Sequence, residues 1–222
     1  MENMPYQSAF DVQPPLAQTF AEPGHTVSSD WRMGLPVLTG AQVVLRDLRS
    51  TDASSLFSLL TTEEVSRFIS PPPTTVEGFE KFIAWTQRQR EAGQSFAFGI
   101  TLKDTDTVVG LFQVRALQPG FDIAEWGFAL SGEHWGSGLF TDAAELVLDF
   151  VFDVVGVHRL EARAALQNGR GNGALHKLGA TQEGILQRSF LRNGVYLDQA
   201  LWTILADDRR KASVFPPDHL VH

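Results

Sequence analysis

The run Ser131-Gly132-Glu133-His134-Trp135-Gly136-Ser137-Gly138 stands directly before a helical pattern over residues 139–155. Unpaired amides at a helix start converge on a ligand, and the helix dipole favours negative charge there, so the junction has the makings of an anion seat. Gly136 and Gly138 let phosphate oxygens approach the backbone, although an ordinary strand-to-helix turn uses glycines in the same way. No Gly-Lys-Ser/Thr follows, so this is not a Walker loop. Gly169-Arg170-Gly171-Asn172-Gly173 fails as a dinucleotide fingerprint: its helix lasts barely a turn or two, and its acid, Asp198, falls inside a late hairpin. Upstream, Glu125 shares a strand face with Ile123, Gly127 and Ala129, surroundings that suit a carboxylate able to take up a proton. The alternative for Glu125 is an ion pair with an arginine of a neighbouring strand, for example Arg115. His134 is a second candidate base, or a loop histidine without a role.

The elements that position these residues follow from patterning. Val43 and Leu45 alternate with Val44 and Arg46 in a strand over 42–47, and Ser50 and Thr51 offer N-caps to a helix marked by Ala53, Leu56, Phe57 and Leu60. After Pro71-Pro72-Pro73, Thr74 and Glu77 form a capping-box pattern that opens an amphipathic helix through Phe79, Phe82 and Ile83 to Gly93. Strands over 96–102, 108–115 and 121–130 make a meander turned at Lys103 to Asp106 and at Pro119-Gly120. In the helix over 139–155, Asp142, Glu145, Asp149 and Asp153 form a narrow polar stripe on an apolar cylinder, so the helix is largely buried. A strand over 157–165, a glycine-rich loop, a short helix over 174–178 closed by Gly179, and a hairpin over 182–205 turned at Asn193-Gly194 complete the order. Residues 1–34, with Pro5, Pro14, Pro15 and Pro23, read as a flexible arm whose Phe10, Phe20 and Trp31 are free to dock elsewhere, even on a partner subunit. Residues 35–207 form the domain, and 208–222 a loose tail.

Composition removes several classes of function. Among 222 residues there is no cysteine, so thiol nucleophiles, disulfides and cysteine-bound metals are excluded. The six histidines are scattered, with no pair at ligand spacing except His219 and His222, so no metal is expected. Eighteen basic against 26 acidic residues give a net charge of -8, which repels nucleic acid and favours cationic partners. No run of ~18 uncharged apolar residues spans a bilayer, and no basic start precedes an apolar stretch at the N-terminus, so the cytoplasm is the plain expectation.

The element order carries a series of local signatures: Leu38-Thr39-Gly40 before Val43-Val44-Leu45-Arg46, Ala124-Glu125-Trp126-Gly127-Phe128, and Trp135-Gly136-Ser137-Gly138 with Thr141-Asp142-Ala143. These are followed by His158-Arg159-Leu160-Glu161-Ala162, Asn168 ahead of Lys177-Leu178-Gly179, and Asn193-Gly194-Val195-Tyr196-Leu197-Asp198. In that order, over residues 35–207, the chain resembles the GCN5-related N-acetyltransferase (GNAT) superfamily, in the branch that includes the ribosomal-protein N-terminal acetyltransferases. The resemblance implies an α/β fold with a mixed, mostly antiparallel sheet of six to seven strands and helices on both faces. It implies acetyl-CoA as co-substrate. The amides of Gly136, Ser137, Gly138, Leu139, Phe140 and Thr141 would hold its pyrophosphate, with Trp135 packed beside it. The backbone from Phe128 to Leu130 would lie along the pantetheine, and Asn168 would touch the cofactor. Arg170 and Lys177 could neutralise a phosphate. Departures are Glu133, where the loop often opens with Gln or Arg, Gly171 in place of a frequent Ser, Ala180 in place of Phe, and Leu175 where related enzymes place the Tyr that protonates the leaving thiolate.

Direct transfer then follows from need. At pH 7 a lysine amine of pKa ~10.4 is neutral about once in two to three thousand molecules, and an α-amine near ~8 about once in ten, so a base must remove a proton. Glu125 is the candidate, and a backbone amide near Phe128 would stabilise the oxyanion. The expected acceptor is a primary amine, a protein or peptide N-terminus by branch resemblance, with a small-molecule amine as the alternative. A non-catalytic module that binds CoA or acyl-CoA is the rival from another class. Trp126, Phe128 and Trp202 read as sheet-face core, and Asp198 as a structural acceptor of hydrogen bonds. Edge strands and the arm permit a homodimer.

Overall fold

The computed structural model describes residues 30–214. Two short strands, β1 (Leu38–Thr39) and β2 (Val43–Asp47), precede helices α1 (Ala53–Leu60), α2 (Glu63–Ser66) and α3 (Val76–Glu91). The meander β3 (Ser95–Leu102), β4 (Val108–Ala116) and β5 (Ile123–Leu130) leads into α4 (Leu139–Asp149). Then come β6 (Arg159–Ala165), α5 (Gly169–Lys177), the hairpin of β7 (Thr181–Arg192) and β8 (Val195–Leu205), and α6 (Ala206–Val214). The strands form one sheet in the order β1-β2-β3-β4-β5-β6-β8-β7. Every neighbouring pair is antiparallel except β5 with β6. The fold class is as expected. The sheet has eight strands rather than six to seven because two-residue β1, too short to show a period, pairs Leu38 with Leu45 and Thr39 with Val44.

Two apolar layers hold the sheet. On one face α4 sets Ala143, Ala144, Val147 and Leu148 against Phe96, Phe98, Phe112, Trp126 and Leu160. Small alanines bring the helix close, and each large side chain removed from water contributes on the order of 1.5–3 kcal/mol. The helix continues as a wider π-helical turn over Phe150–Val155 and stops at Gly156, whose φ of 85° suits a residue without a Cβ. On the other face Leu56 and Leu59 of α1 and Phe79 and Ile83 of α3 cover Ala97, Leu111 and Ala129. Farther along that face, period-two alternation presents Glu125 on β5 and Arg159, Glu161 and Arg163 on β6.

Several local expectations are corrected. Helix α3 is capped by Thr75, whose hydroxyl accepts from the Gly78 amide at 3.0 Å, rather than by Thr74. Ser50 and Thr51 lie inside a 3-10 turn, Ser50–Asp52, and do not cap α1. The glycine-rich segment read as a loop is the first part of α5. The Asn168 side chain accepts from the Gly171 amide at 2.9 Å, and the Asn172 amide group donates to the carbonyls of Ala165 and Asn168, both at 2.9 Å. These bonds, with Leu175 buried at 1% exposure, offset glycines that each cost a helix about 1 kcal/mol. Residues 208–214 are helical in α6, not a loose tail. Trp31 docks on this chain's own core, edge-on to Phe96 and Phe121 at 5.2 and 5.3 Å, while Phe10 and Phe20 lie outside the described residues.

Candidate active site

The parallel pair at the centre of the sheet is short. Ile123, Ala124 and Glu125 of β5 pair with Arg159, Leu160 and Glu161 of β6, and pairing ends there. Beyond it, β5 stays with β4 as far as Leu130, and β6 stays with β8 as far as Ala165. Trp126–Leu130 and Ala162–Ala165 therefore part company and leave a notch, whose edges carry main-chain groups unpaired across it. Gly127 sits on this edge, exposed in mid-sheet, and a Cβ there would meet nothing within 4 Å.

At the mouth of the notch stands the loop before α4. Gly136 and Gly138 have φ of 78° and 88°, in the left-handed region that side chains disfavour. Gly138 is the N-cap of α4 and offers no side chain to the first-turn amides. Ser137 Oγ donates to the His134 carbonyl at 2.6 Å and accepts from the Leu139 amide only at 3.4 Å. The first turn of α4 therefore has no N-cap side-chain bond and only this long contact from Ser137 to its first amide. Trp135 anchors the loop by donating from Nε1 to the Leu130 carbonyl at 2.9 Å. Phe140 packs on Phe128 with ring centroids 4.6 Å apart, fixing the first turn of α4 over the end of β5. Thr141 and Glu133 are exposed, and His134 is half-buried.

Asp142, one turn into α4, does work that local spacing does not show. Its carboxylate accepts from the amides of Ala41, Gln42 and Val43 at 2.9, 2.6 and 3.2 Å, tying the β1–β2 turn to the helix start. Burial pushes this carboxyl up, but the three amides together hold it below its ordinary value.

Glu125 is buried, and it is paired. Arg115, its partner across β4, donates from Nη2 to Glu125 Oε2, and Arg163 Nη1 lies 3.8 Å from the same oxygen. Arg163 also reaches Glu161 at 3.8 Å, and Arg159 bonds Glu161 at 2.9 Å. Arg159 then forms a two-pronged pair with Glu183 at 2.8 and 2.6 Å, which with the Thr203 hydroxyl holds the Glu183 carboxyl at about 2. The ion pair read as an alternative for Glu125 is present. The sheet face around it is a charged row, not the apolar surface that Ile123, Gly127 and Ala129 describe along one strand.

Other candidates are placed as follows. Asn168 caps α5, so its side-chain oxygen is committed to the helix, and a Cβ on Gly171 would come within 2.6 Å of Asn168 Nδ2. A side chain there would require the Asn168 amide group to shift. Leu175 is core. Trp126 and Trp202 are buried, and Trp202 donates from Nε1 to Asn172 at 2.8 Å. Asp198 accepts from the Arg188 amide at 2.7 Å. Lys177 is exposed, while Arg170 lies over the Trp135 ring.

The chain as a whole has relatives among known proteins. Residues 42–181 match the family model for the acetyltransferase (GNAT) domain. The chain is 32% identical over 182 residues to the probable N-acetyltransferase YjcK of Bacillus subtilis, covering 78% of this chain and 98% of that protein. The chain belongs to the GNAT acetyltransferases. Among solved structures, this acetyltransferase resembles Mycobacterium smegmatis RimJ in complex with CoA-disulfide, with a TM-score of 0.70 and 22% identity over 78% of this chain and 88% of that one. It also resembles the ribosomal-protein-S5-alanine acetyltransferase of Vibrio fischeri, with a TM-score of 0.71 and 20% identity over 78% and 98% of the two chains.

The residues present fit the family's co-substrate, acetyl-CoA: two left-handed glycines, an uncapped helix start and open space over Gly127 are what a diphosphate and a slim pantetheine arm require. Among the described residues no group of His, Asp and Glu side chains is arranged to hold a metal ion, and no helix is long and apolar enough to cross a membrane.

Proposed function

We propose that this enzyme transfers the acetyl group of acetyl-CoA directly to the amino terminus of a protein or peptide, with the reaction taking place beside Gly127. The observation that carries this reading is the opening of the β5–β6 pair immediately after Glu125, which leaves space beside a carboxylate on one side and a helix start without an N-cap side chain at the mouth. The amides from Gly136 to Thr141 hold the diphosphate, and the backbone from Phe128 to Leu130 lines the thioester arm. The incoming amine forms a C–N bond at the acyl carbon and the C–S bond breaks; of the three ammonium protons one goes to a base before attack, one passes to the departing thiolate to give the free thiol, and one stays on the amide nitrogen.

Glu125 is that base in our reading, directly or through one water. Arg115 and Arg163 face its Oε2 until a cationic amine arrives, and the amine then competes with guanidinium for the same oxygen. An α-amine, closer to neutrality at pH 7 than a lysine, asks less of a carboxylate restrained in this way. A thiol of pKa ~8.5 leaves without a strong acid, so the leucine at position 175 is no obstacle. The name of the Vibrio fischeri neighbour and the chain's net charge of -8 both support a cationic protein terminus as acceptor.

The test is thiol release from acetyl-CoA with peptides bearing free N-termini, the same peptides N-terminally blocked but carrying lysine, and small polyamines, with products weighed by intact mass. Acetylation of free N-termini is the expected result. Turnover confined to small amines moves the acceptor to the small-molecule class, and cofactor binding without turnover on any amine favours a binding module.

A further inference from the structure

The anion seat of this chain contains no cation of its own. From Ser131 to Thr141 there is no Lys or Arg, and the loop carries Glu133. A diphosphate with at least two negative charges would rest on amides alone, beside a carboxylate, on a molecule of net charge -8. The missing charge stands across the notch. Arg170, in the first turn of α5, places Cζ 3.9 Å from the centroid of the Trp135 ring, so a contact between β5's loop and β6's helix spans the mouth. Trp135 is held by its bond to Leu130, so its ring is a fixed platform. Arg170 is exposed, and among the described residues no carboxylate pairs with it. Gly169, its neighbour, and Gly173, one turn on, have nothing within 4 Å of where a Cβ would lie, so the helix surface beside Arg170 is open at both positions.

We infer that Arg170 is a second ligand for the CoA diphosphate, supplied from the α5 side. Its guanidinium rests on Trp135 in the free protein and turns onto phosphate oxygens when the cofactor seats on the loop amides. An exposed cation–π contact is the weaker of the two interactions, and a forked guanidinium–phosphate contact the stronger, so the exchange runs toward the ligand. Arg170 thereby restores the positive charge that Glu133 denies the loop. The assignment rests on the reading that CoA binds in the notch.

Calorimetric titration of CoA, dephospho-CoA (which keeps the diphosphate) and acetyl-pantetheine (which lacks all phosphates) into wild type, Arg170→Gln and Arg170→Lys tests it. Arg170→Gln is expected to weaken CoA and dephospho-CoA alike by about tenfold and to leave acetyl-pantetheine unchanged, with Arg170→Lys between. Tryptophan emission should shift on adding CoA to wild type, and that shift should be absent in Trp135→Phe and Arg170→Gln. Equal CoA affinity in Arg170→Gln overturns the assignment, as does a parallel loss for acetyl-pantetheine or an effect confined to CoA, which would point to the 3′-phosphate. Wild type that binds no CoA overturns the acyltransferase reading as well, whereas wild-type binding with an indifferent Arg170→Gln overturns this assignment alone.

Discussion

Gly40 and Asp142 are in such close approach that a Cβ on Gly40 would lie 2.6 Å from the carboxylate. The carboxylate cannot retreat, because the next three amides of the chain, those of Ala41, Gln42 and Val43, hold it. Contacts about 100 residues apart in sequence thus fix the start of α4.

Asp142→Ala removes a charged acceptor from three donors and is expected to cost about 1.5–3 kcal/mol, read from urea unfolding. Gly40→Ala should destabilise by driving the turn off α4. The Asp142 carboxyl is held below its ordinary value, so its contribution is complete above the ordinary carboxylate range and fades as pH falls through the folded-state value. The gap between wild type and Asp142→Ala should therefore narrow when unfolding is repeated below about pH 4. A gap that widens in acid would contradict the assigned bonds.

Gly138→Ala places a Cβ on a residue with φ of 88°, where the strain is about 1–2 kcal/mol, although the nearest atom to that Cβ is a side-chain nitrogen of Gln42 at 3.6 Å. Stability should fall modestly, while CoA affinity falls about tenfold as the loop amides tilt. Calorimetry and a thermal melt on the same preparation check both. Loss of stability with undiminished affinity would remove the loop from the cofactor site.

Glu125→Gln is expected to cut turnover at pH 7 by a factor of about 10²–10⁴ and to leave CoA affinity within about twofold. It also leaves the guanidiniums of Arg115 and Arg163 facing a neutral amide, so some stability is lost with it. The pH dependence of kcat separates the two effects. A base makes kcat fall toward acid and Glu125→Gln abolishes that fall, whereas a purely structural pair lowers stability and leaves the profile unchanged in shape.

Trp31→Ala should cost about 3–5 kcal/mol, since the ring is 5% exposed and edge-on to both Phe96 and Phe121. A melting temperature close to that of wild type would contradict its place in the core.

What was legible in the sequence was local. The glycine-cornered start of α4 and the meander ending at Leu130 follow from short-range periodicity and turn chemistry, and these position the notch. Arg115 could be named as a partner of Glu125 because adjacent strands of a meander have few registers. Arg163 and Glu161 could not, because they reach the same face through a parallel pairing across an intervening helix. Asp142 shows the same limit: its spacing marks the wet face of a helix, and its partners lie about 100 residues away. The start of α5 was hidden for a different reason. Three glycines read as loop, and only the bonds from Asn168 and Asn172 make them helix.

The most direct measurement uses Gly127→Val. Nothing in the protein lies within 4 Å of the new Cβ, and valine suits a strand, so the thermal melt should match or exceed that of wild type. If acyl-CoA occupies the gap between β5 and β6, calorimetric titration of acetyl-CoA should show one molecule bound per wild-type chain and at least about tenfold weaker binding to the variant. Equal affinity in a well-folded Gly127→Val would mean that the thioester lies elsewhere.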